Sequence, residues 1–203
     1  VFVIDEIQAG MGRTGTLFAS EHDGVEADLI VTAKALGGGL PLSAVTGRTR
    51  LMNAVRPGGL GGTYAGNPLA CAAALGVFEA FEDGSLLANA ATIETVVRAH
   101  LEPLLDSVAV VAEVRGRGAM LAIEFADPIT LEPRADIAKA VAAACHAAGV
   151  LVLVCGTYGN VIRLLPPLVI GIELLEDGLR VLTAAIEQQA AEASRALQDA
   201  AAA

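Results

Sequence analysis

The sequence predicts an α/β fold in its first part that passes into α+β in its second. Three observations carry this. Short apolar runs at residues 1–4, 28–33 and 43–46 alternate with loops and helical stretches, the order of a mostly parallel sheet. A break at Asp83-Gly84 then ends a helical segment. Beyond it, long helical patterns bracket two pairs of strand-like runs. The expected domains are therefore residues 1–84, from a larger sheet domain, and residues 85–203, a small α+β domain.

The elements follow in order. Residues 1–4 form a buried strand that ends at the acidic pair Asp5-Glu6. A glycine-rich loop runs through Gly15, and residues 28–33 make the next strand, ending at Lys34. Residues 43–46 are a third short strand and 49–55 a short helix. Residues 57–67 are a loop holding five glycines. Residues 68–81 are helical: Pro68 opens the helix, and Leu69, Ala73, Val77 and Phe81 recur on one face.

After Gly84, residues 86–105 read as one long helix. Strands at 108–118 and 119–125 meet at Arg117-Gly118, and residues 135–148 form a helix closed by Gly149. Strands at 150–154 and 161–165 flank a turn over 156–160, and 173–197 is a final helix. The abrupt start inside an apolar strand leads us to expect the later part of a longer protein. It also leads us to expect exposed core surface on the first strands, and self-association.

Composition narrows the function. The chain has 203 residues, 54% hydrophobic and 18% charged, enough for a real core. Its net charge of −10 argues against nucleic acid or an anionic membrane as partner. No apolar stretch reads as transmembrane, because residues 141–158 are interrupted by His146 and Gly149. Cys71, Cys145 and Cys155 lack metal or pairing logic and read as buried hydrophobes in a reducing, cytoplasmic setting. His22, His100 and His146 form no metal-like cluster in the sequence.

Only two lysines occur, Lys34 and Lys139. Lys34 stands between an apolar strand and three consecutive glycines, where a ligand can come close to backbone. A desolvated lysine there would be a nucleophile toward aldehydes, which is Schiff-base chemistry. Asp5 ends the preceding strand, and strand C-termini are where parallel sheets bind ligands. A lysine and a carboxylate at adjacent strand ends suit pyridoxal phosphate, with the carboxylate keeping the ring nitrogen protonated. The plain alternatives are an Asp–Lys ion pair, an aspartate that caps the following loop, or a lysine that points to solvent.

The segments Asp5-Glu6-Ile7-Gln8-Ala9-Gly10-Met11-Gly12-Arg13-Thr14-Gly15, Ala33-Lys34-Ala35-Leu36-Gly37-Gly38-Gly39-Leu40-Pro41 and Gly62-Thr63-Tyr64-Ala65-Gly66-Asn67-Pro68 resemble the class III (ω-type) aminotransferases. The wording of residues 40–48 and 161–168 looks most like the 4-aminobutyrate aminotransferase branch. The resemblance covers essentially the whole chain. It implies the C-terminal portion of a fold-type I transferase that uses pyridoxal 5'-phosphate.

It further implies a role for each matching residue. Lys34 would form the internal aldimine and shuttle the proton. Asp5 would pair with the pyridinium nitrogen, and Gln8 would hydrogen-bond near the ring's phenolic oxygen. Thr63 would reach the cofactor phosphate of the neighbouring subunit, which implies a homodimer or higher homo-oligomer. Arg163 would receive the substrate carboxylate, which its planar fork can bind bidentately. The implied reaction moves an amino group from an ω-amino acid, 4-aminobutyrate favoured, to a 2-oxo acid such as 2-oxoglutarate. Ornithine-type, acetylornithine-type and other ω-amine transaminases share most of these residues.

Two rival readings stand beside this one. Residues 10–15 match the dinucleotide fingerprint of a Rossmann dehydrogenase, but residues 16–24 are too short and broken for the helix it should open. The other is an inactive fragment. The family's phosphate-cradling loop and ring-stacking aromatic belong to its N-terminal half, which is absent from this sequence.

Overall fold

The computed structural model of the chain describes residues 1–202, and side chains as far as Arg195. It divides into two compact units, Val1–Ala90 and Ala91–Ala203.

In the first unit, β1 (Val3–Asp5) pairs parallel with β2 (Leu29–Thr32), with Asp5 opposite Val31. β3 (Ala44–Gly47) pairs antiparallel with β2, so this sheet is mixed. The cause is the link between them, which holds only a 3-10 turn at Lys34–Gly37 and no crossover helix. Asp28 fastens the sheet's lower end. It accepts from the Phe2 N–H at 3.0 Å and pairs with Arg48 and Arg50, each at 3.2 Å. The Phe2 N–H, aided by Arg50, holds this carboxyl below its usual range.

The helix expected over 49–55 is shorter, α1 (Thr49–Met52). α2 (Pro68–Phe81) has the expected bounds. Asn67 caps it by accepting from the N–H groups of Leu69 and Ala70, and Pro68 fills the first helical position. Of the expected face, Ala73, Val77 and Phe81 are partly covered but Leu69 is 75% exposed; Ala70 and Ala74 beside it are the buried positions, and Cys71, expected to be buried, is exposed. The small alanines lie on the covered side, and a Cβ at Gly38 would come within 3.0 Å of Val77. Phe2, just before β1, and Val3, its first residue, are about half exposed.

The helix expected over residues 86–105 is two helices, α3 (Ser85–Leu101) and α4 (Pro103–Ser107). Pro103 has no N–H to continue the first, so the chain restarts there. The boundary between the two units falls inside α3.

The second unit holds an antiparallel sheet in the order β4-β5-β7-β6. Its strands are β4 (Val111–Arg117), β5 (Met120–Phe125), β6 (Leu153–Cys155) and β7 (Val161–Leu164). β6 starts later than expected, and the chain before it emerges exposed at Leu151. α5 (Ala135–Ala147) packs on this sheet and against α6 (Ile172–Ala202). Val97, Leu121, Ile123, Phe125, Val141, Ile162 and Ile186 are almost wholly buried. Each such side chain contributes about 1.5–3 kcal/mol through removal from water. Among the described residues no helix is long and apolar enough to cross a membrane, and no cluster of metal-ligating side chains occurs.

Candidate functional site

The end of β1 and the end of β2 lie side by side, and Asp5, Gln8 and Lys34 stand at or just past those ends. Lys34 opens the 3-10 turn after β2 at φ +50, a left-handed conformation uncommon outside glycine. Its Nζ donates to Gln8 Oε1 at 2.7 Å. Gln8 belongs to the loop that leaves β1. Asp5, at the end of β1, uses Oδ1 to accept the Ile7 N–H at 2.9 Å. Its Oδ2 carries no hydrogen bond among the described residues.

The backbone explains why these groups converge. The parallel register sets Asp5 beside Val31, three residues before Lys34. The Glu6 N–H donates to Val31 O at 2.9 Å, so the pairing continues past the strand end. The Gly10 N–H then returns to Glu6 O at 3.0 Å and closes a turn. A Cβ on Gly10 would lie 2.7 Å from that same oxygen, which is why glycine stands there.

Lys34 itself is exposed, contrary to the desolvated lysine expected from its apolar flanks. The flanking strand is buried only in part. A shallow depression lined by Lys34, Ala35, Gly39, Leu40, Pro41 and Leu42 adjoins it.

Thr63 lies exposed in the loop between α1 and α2, where Gly61 and Gly66 adopt positive φ. Arg163 lies in the second unit, on β7, opposite Ala122 of β5 and Leu153 of β6. It lines an apolar cavity of about 540 Å³ with Val97, Val152, Pro166, Leu175 and Leu182. Its Nε is buried and has no hydrogen-bond partner among the described residues. A guanidinium with an unused, desolvated N–H can donate to a carboxylate that enters the cavity.

Two residues that hold these parts were not singled out in the sequence for this role. Glu6 is 1% exposed, and its carboxylate accepts the N–H groups of Ala19 at 3.1 Å and Ser20 at 2.8 Å. Asn160 is 2% exposed and ties the turn before β7 to β5 through Phe125 O at 2.9 Å and Glu124 Oε1 at 3.1 Å. The sequence signals were an acidic pair and a turn asparagine; neither reveals burial. The glycine loop over 10–15 leads into a 3-10 turn at Ala19–Asp23, not into an α-helix. The context a dinucleotide fingerprint requires is missing.

Comparison with known proteins gives a concordant result. The family model described as aminotransferase class-III matches residues 1–186. The 4-aminobutyrate aminotransferase of Mycobacterium tuberculosis is 52% identical over 187 residues, covering 91% of this chain and 42% of that protein. The 5-aminovalerate aminotransferase of Pseudomonas putida is 44% identical over 182 residues, covering 90% of this chain and 43% of its own length. Among solved structures, the acetylornithine aminotransferase of Elizabethkingia anophelis superposes with a TM-score of 0.79 at 36% identity, over 93% of this chain and 46% of that one. The chain thus spans less than half the length of the relatives it matches.

Proposed function

Because this chain belongs to the class-III aminotransferase family, we propose that the protein it represents transfers an amino group from an ω-amino acid to a 2-oxo acid, with pyridoxal 5'-phosphate as cofactor. We favour 4-aminobutyrate as donor and 2-oxoglutarate as acceptor. The 52% identity to the 4-aminobutyrate aminotransferase of Mycobacterium tuberculosis supports that choice. A donor one methylene longer, or an ornithine-type donor, is the second reading, supported by the names of those other relatives.

The observation that carries the proposal is the Lys34–Gln8 contact at the end of the β1–β2 pair where Asp5 ends β1. The residues fit the cofactor chemically. A primary amine stands ready for an aldehyde, and a carboxylate oxygen is left open for a ring N–H. When bound, pyridoxal phosphate supplies an aldehyde carbon and a protonated ring that draws electrons from the substrate carbon.

The chain's own residues would do the rest. Lys34 Nζ would hold the cofactor and, when released from it, take and return the substrate proton. Asp5 Oδ2 would keep the ring nitrogen protonated. Gln8 Oε1 fixes where Nζ sits. The Thr63 hydroxyl would donate to a phosphate oxygen in a neighbouring subunit's site, so the assembly would be at least a homodimer. Arg163 would bind the substrate carboxylate through its fork of N–H donors.

The test uses the scarcity of lysine in this segment. The full-length protein is incubated with pyridoxal phosphate, reduced with borohydride, digested and mapped by mass spectrometry. Modification at Lys34 and not at Lys139 is the expected result. Equal modification of both would sink the assignment.

A further inference from the structure

We propose that Glu6 is a positioning residue for the Lys34 site: its buried carboxylate fixes the loop that presents Gln8 to Lys34. The proposal rests on reading Lys34 as the reactive amine.

Glu6 joins three pieces of backbone. Its N–H donates to Val31 O on β2, and its carbonyl accepts the Gly10 N–H. Its carboxylate reaches across thirteen and fourteen residues to the Ala19 and Ser20 amides. Those are the first two residues of the 3-10 turn, whose N–H groups have no partner within the turn. The N–H of Phe18, just before it, is accepted by Glu21 Oε1 at 2.7 Å. Every donor at this turn's start is therefore met by a carboxylate, and Glu6 supplies two of the three contacts.

The effect on the site follows from geometry. Asp5, exposed, and Gln8, half-buried, flank Glu6, which is buried. With Glu6 anchored at backbone and side chain, the loop between them has little freedom. Gln8 Oε1 is then held where Lys34 Nζ reaches it at 2.7 Å. Charge-assisted hydrogen bonds to backbone N–H groups are short and stronger than neutral ones, and here they are shielded from water. Glutamine in place of Glu6 keeps the shape but offers one oxygen and turns an NH2 group toward an N–H donor.

The test reads Lys34 without requiring cofactor or turnover. The chain is pulse-labelled by reductive methylation, and the ratio of Lys34 to Lys139 modification is measured by mass spectrometry. Gln8→Ala sets the scale. Losing one hydrogen bond of ordinary net strength should raise the ratio roughly fivefold. Glu6→Gln is expected to raise it toward the same value, with faster hydrogen exchange at Ala19 and Ser20. The double variant should rise no further.

Should Glu6→Gln prove unfolded, Gly10→Ala perturbs the same turn from the other side and should raise the ratio as well. The proposal is overturned if Glu6→Gln lowers stability and speeds amide exchange while the Lys34 ratio stays at its original value. It is also overturned if Gln8→Ala leaves the ratio unchanged. Failure of the aminotransferase reading would register separately, as pyridoxal phosphate that does not select Lys34.

Discussion

Lys34 Nζ donates to Gln8 Oε1 at 2.7 Å, and so joins two loops that leave adjacent parallel strands. The contact needs only a cationic donor of suitable length. The proposed chemistry needs more, because the nitrogen must also exist as a free amine. Lys34→Arg separates the two. Arginine can still donate to Gln8 but stays protonated and cannot attack an aldehyde. In the full-length enzyme we expect unchanged unfolding behaviour and a turnover at least about 10²–10⁴-fold lower, the range a general acid–base group supplies. Retained turnover would remove Lys34 from the mechanism.

Asp5 offers a second separation. Its Oδ1 is used by the Ile7 N–H, a bond that an asparagine oxygen can also accept. Asp5→Asn should therefore fold normally. It should still lose turnover by roughly 10–100-fold, the worth of a hydrogen bond to a charged group. Steady-state kinetics with 4-aminobutyrate checks this; a loss under twofold would defeat the electron-sink role.

The Arg163 prediction turns on its buried Nε. Lysine keeps the charge but loses the fork that binds a carboxylate at two points. Arg163→Lys should raise KM for 4-aminobutyrate and 2-oxoglutarate roughly 10–100-fold. It should leave a simple alkylamine donor of similar length nearly unaffected. Equal effects on both donors would show that Arg163 acts on the fold and not on the carboxylate.

How much of this could be read beforehand depended on whether the deciding physics was local. The runs around Val3 and Ile30, the helix opened by Pro68, and the turn before β7 all carry local signals. Proline at 103 carried one too, yet the apolar pattern across it reads as a single helix until the missing N–H is weighed. The choice between Asp5 and Glu6 was not local. Neighbours in a strand face opposite ways, and which one faces inward depends on the Ala19–Asp23 turn folding over it. Likewise Lys34 looked desolvated because its sequence neighbours are apolar, whereas exposure is set by what covers it in space. On α2 the expected positions Ala73, Val77 and Phe81 are partly covered, but Ala70 and Ala74, whose small side chains carry no strong apolar signal, are the ones fully buried.

Glycines supply a prediction on stability. Gly116 in β4 sits at φ +126, and a Cβ there would strike Met120 O and come within 2.8 Å of Leu121 Cα. Both are backbone atoms of the paired strand, so nothing can rotate away. Gly116→Ala should cost at least about 2 kcal/mol. Gly76, inside α2, has open space around its missing Cβ. Gly76→Ala should stabilise by about 0.5–1 kcal/mol through helix propensity. Denaturant midpoints measure both, and equal effects at the two positions would contradict the register of β4 on β5.

Asn160 gives the sharpest test of the second unit. Its NH2 group donates to two acceptors, Phe125 O and Glu124 Oε1, in a site only 2% exposed. Asn160→Ala removes that donor from Glu124 Oε1 and from the Phe125 carbonyl, which keeps the Arg134 N–H at 3.0 Å, and should cost about 0.5–1.5 kcal/mol. Asn160→Asp turns acceptors toward acceptors and adds a buried charge beside Glu124, which should cost more, about 3–5 kcal/mol at neutral pH. The introduced carboxyl, crowded by these oxygens, would have a folded pKa above its unfolded value of about 3.9. Stability from such a group is fully present below the unfolded pKa and is lost as pH rises through the folded one. The protonated acid can donate as the amide does. The Asp variant should thus match or exceed the Ala variant at about pH 4 and fall below it near neutrality. Urea unfolding of both variants across that range decides it, and a difference that does not change with pH would mean that Asn160 is not the donor.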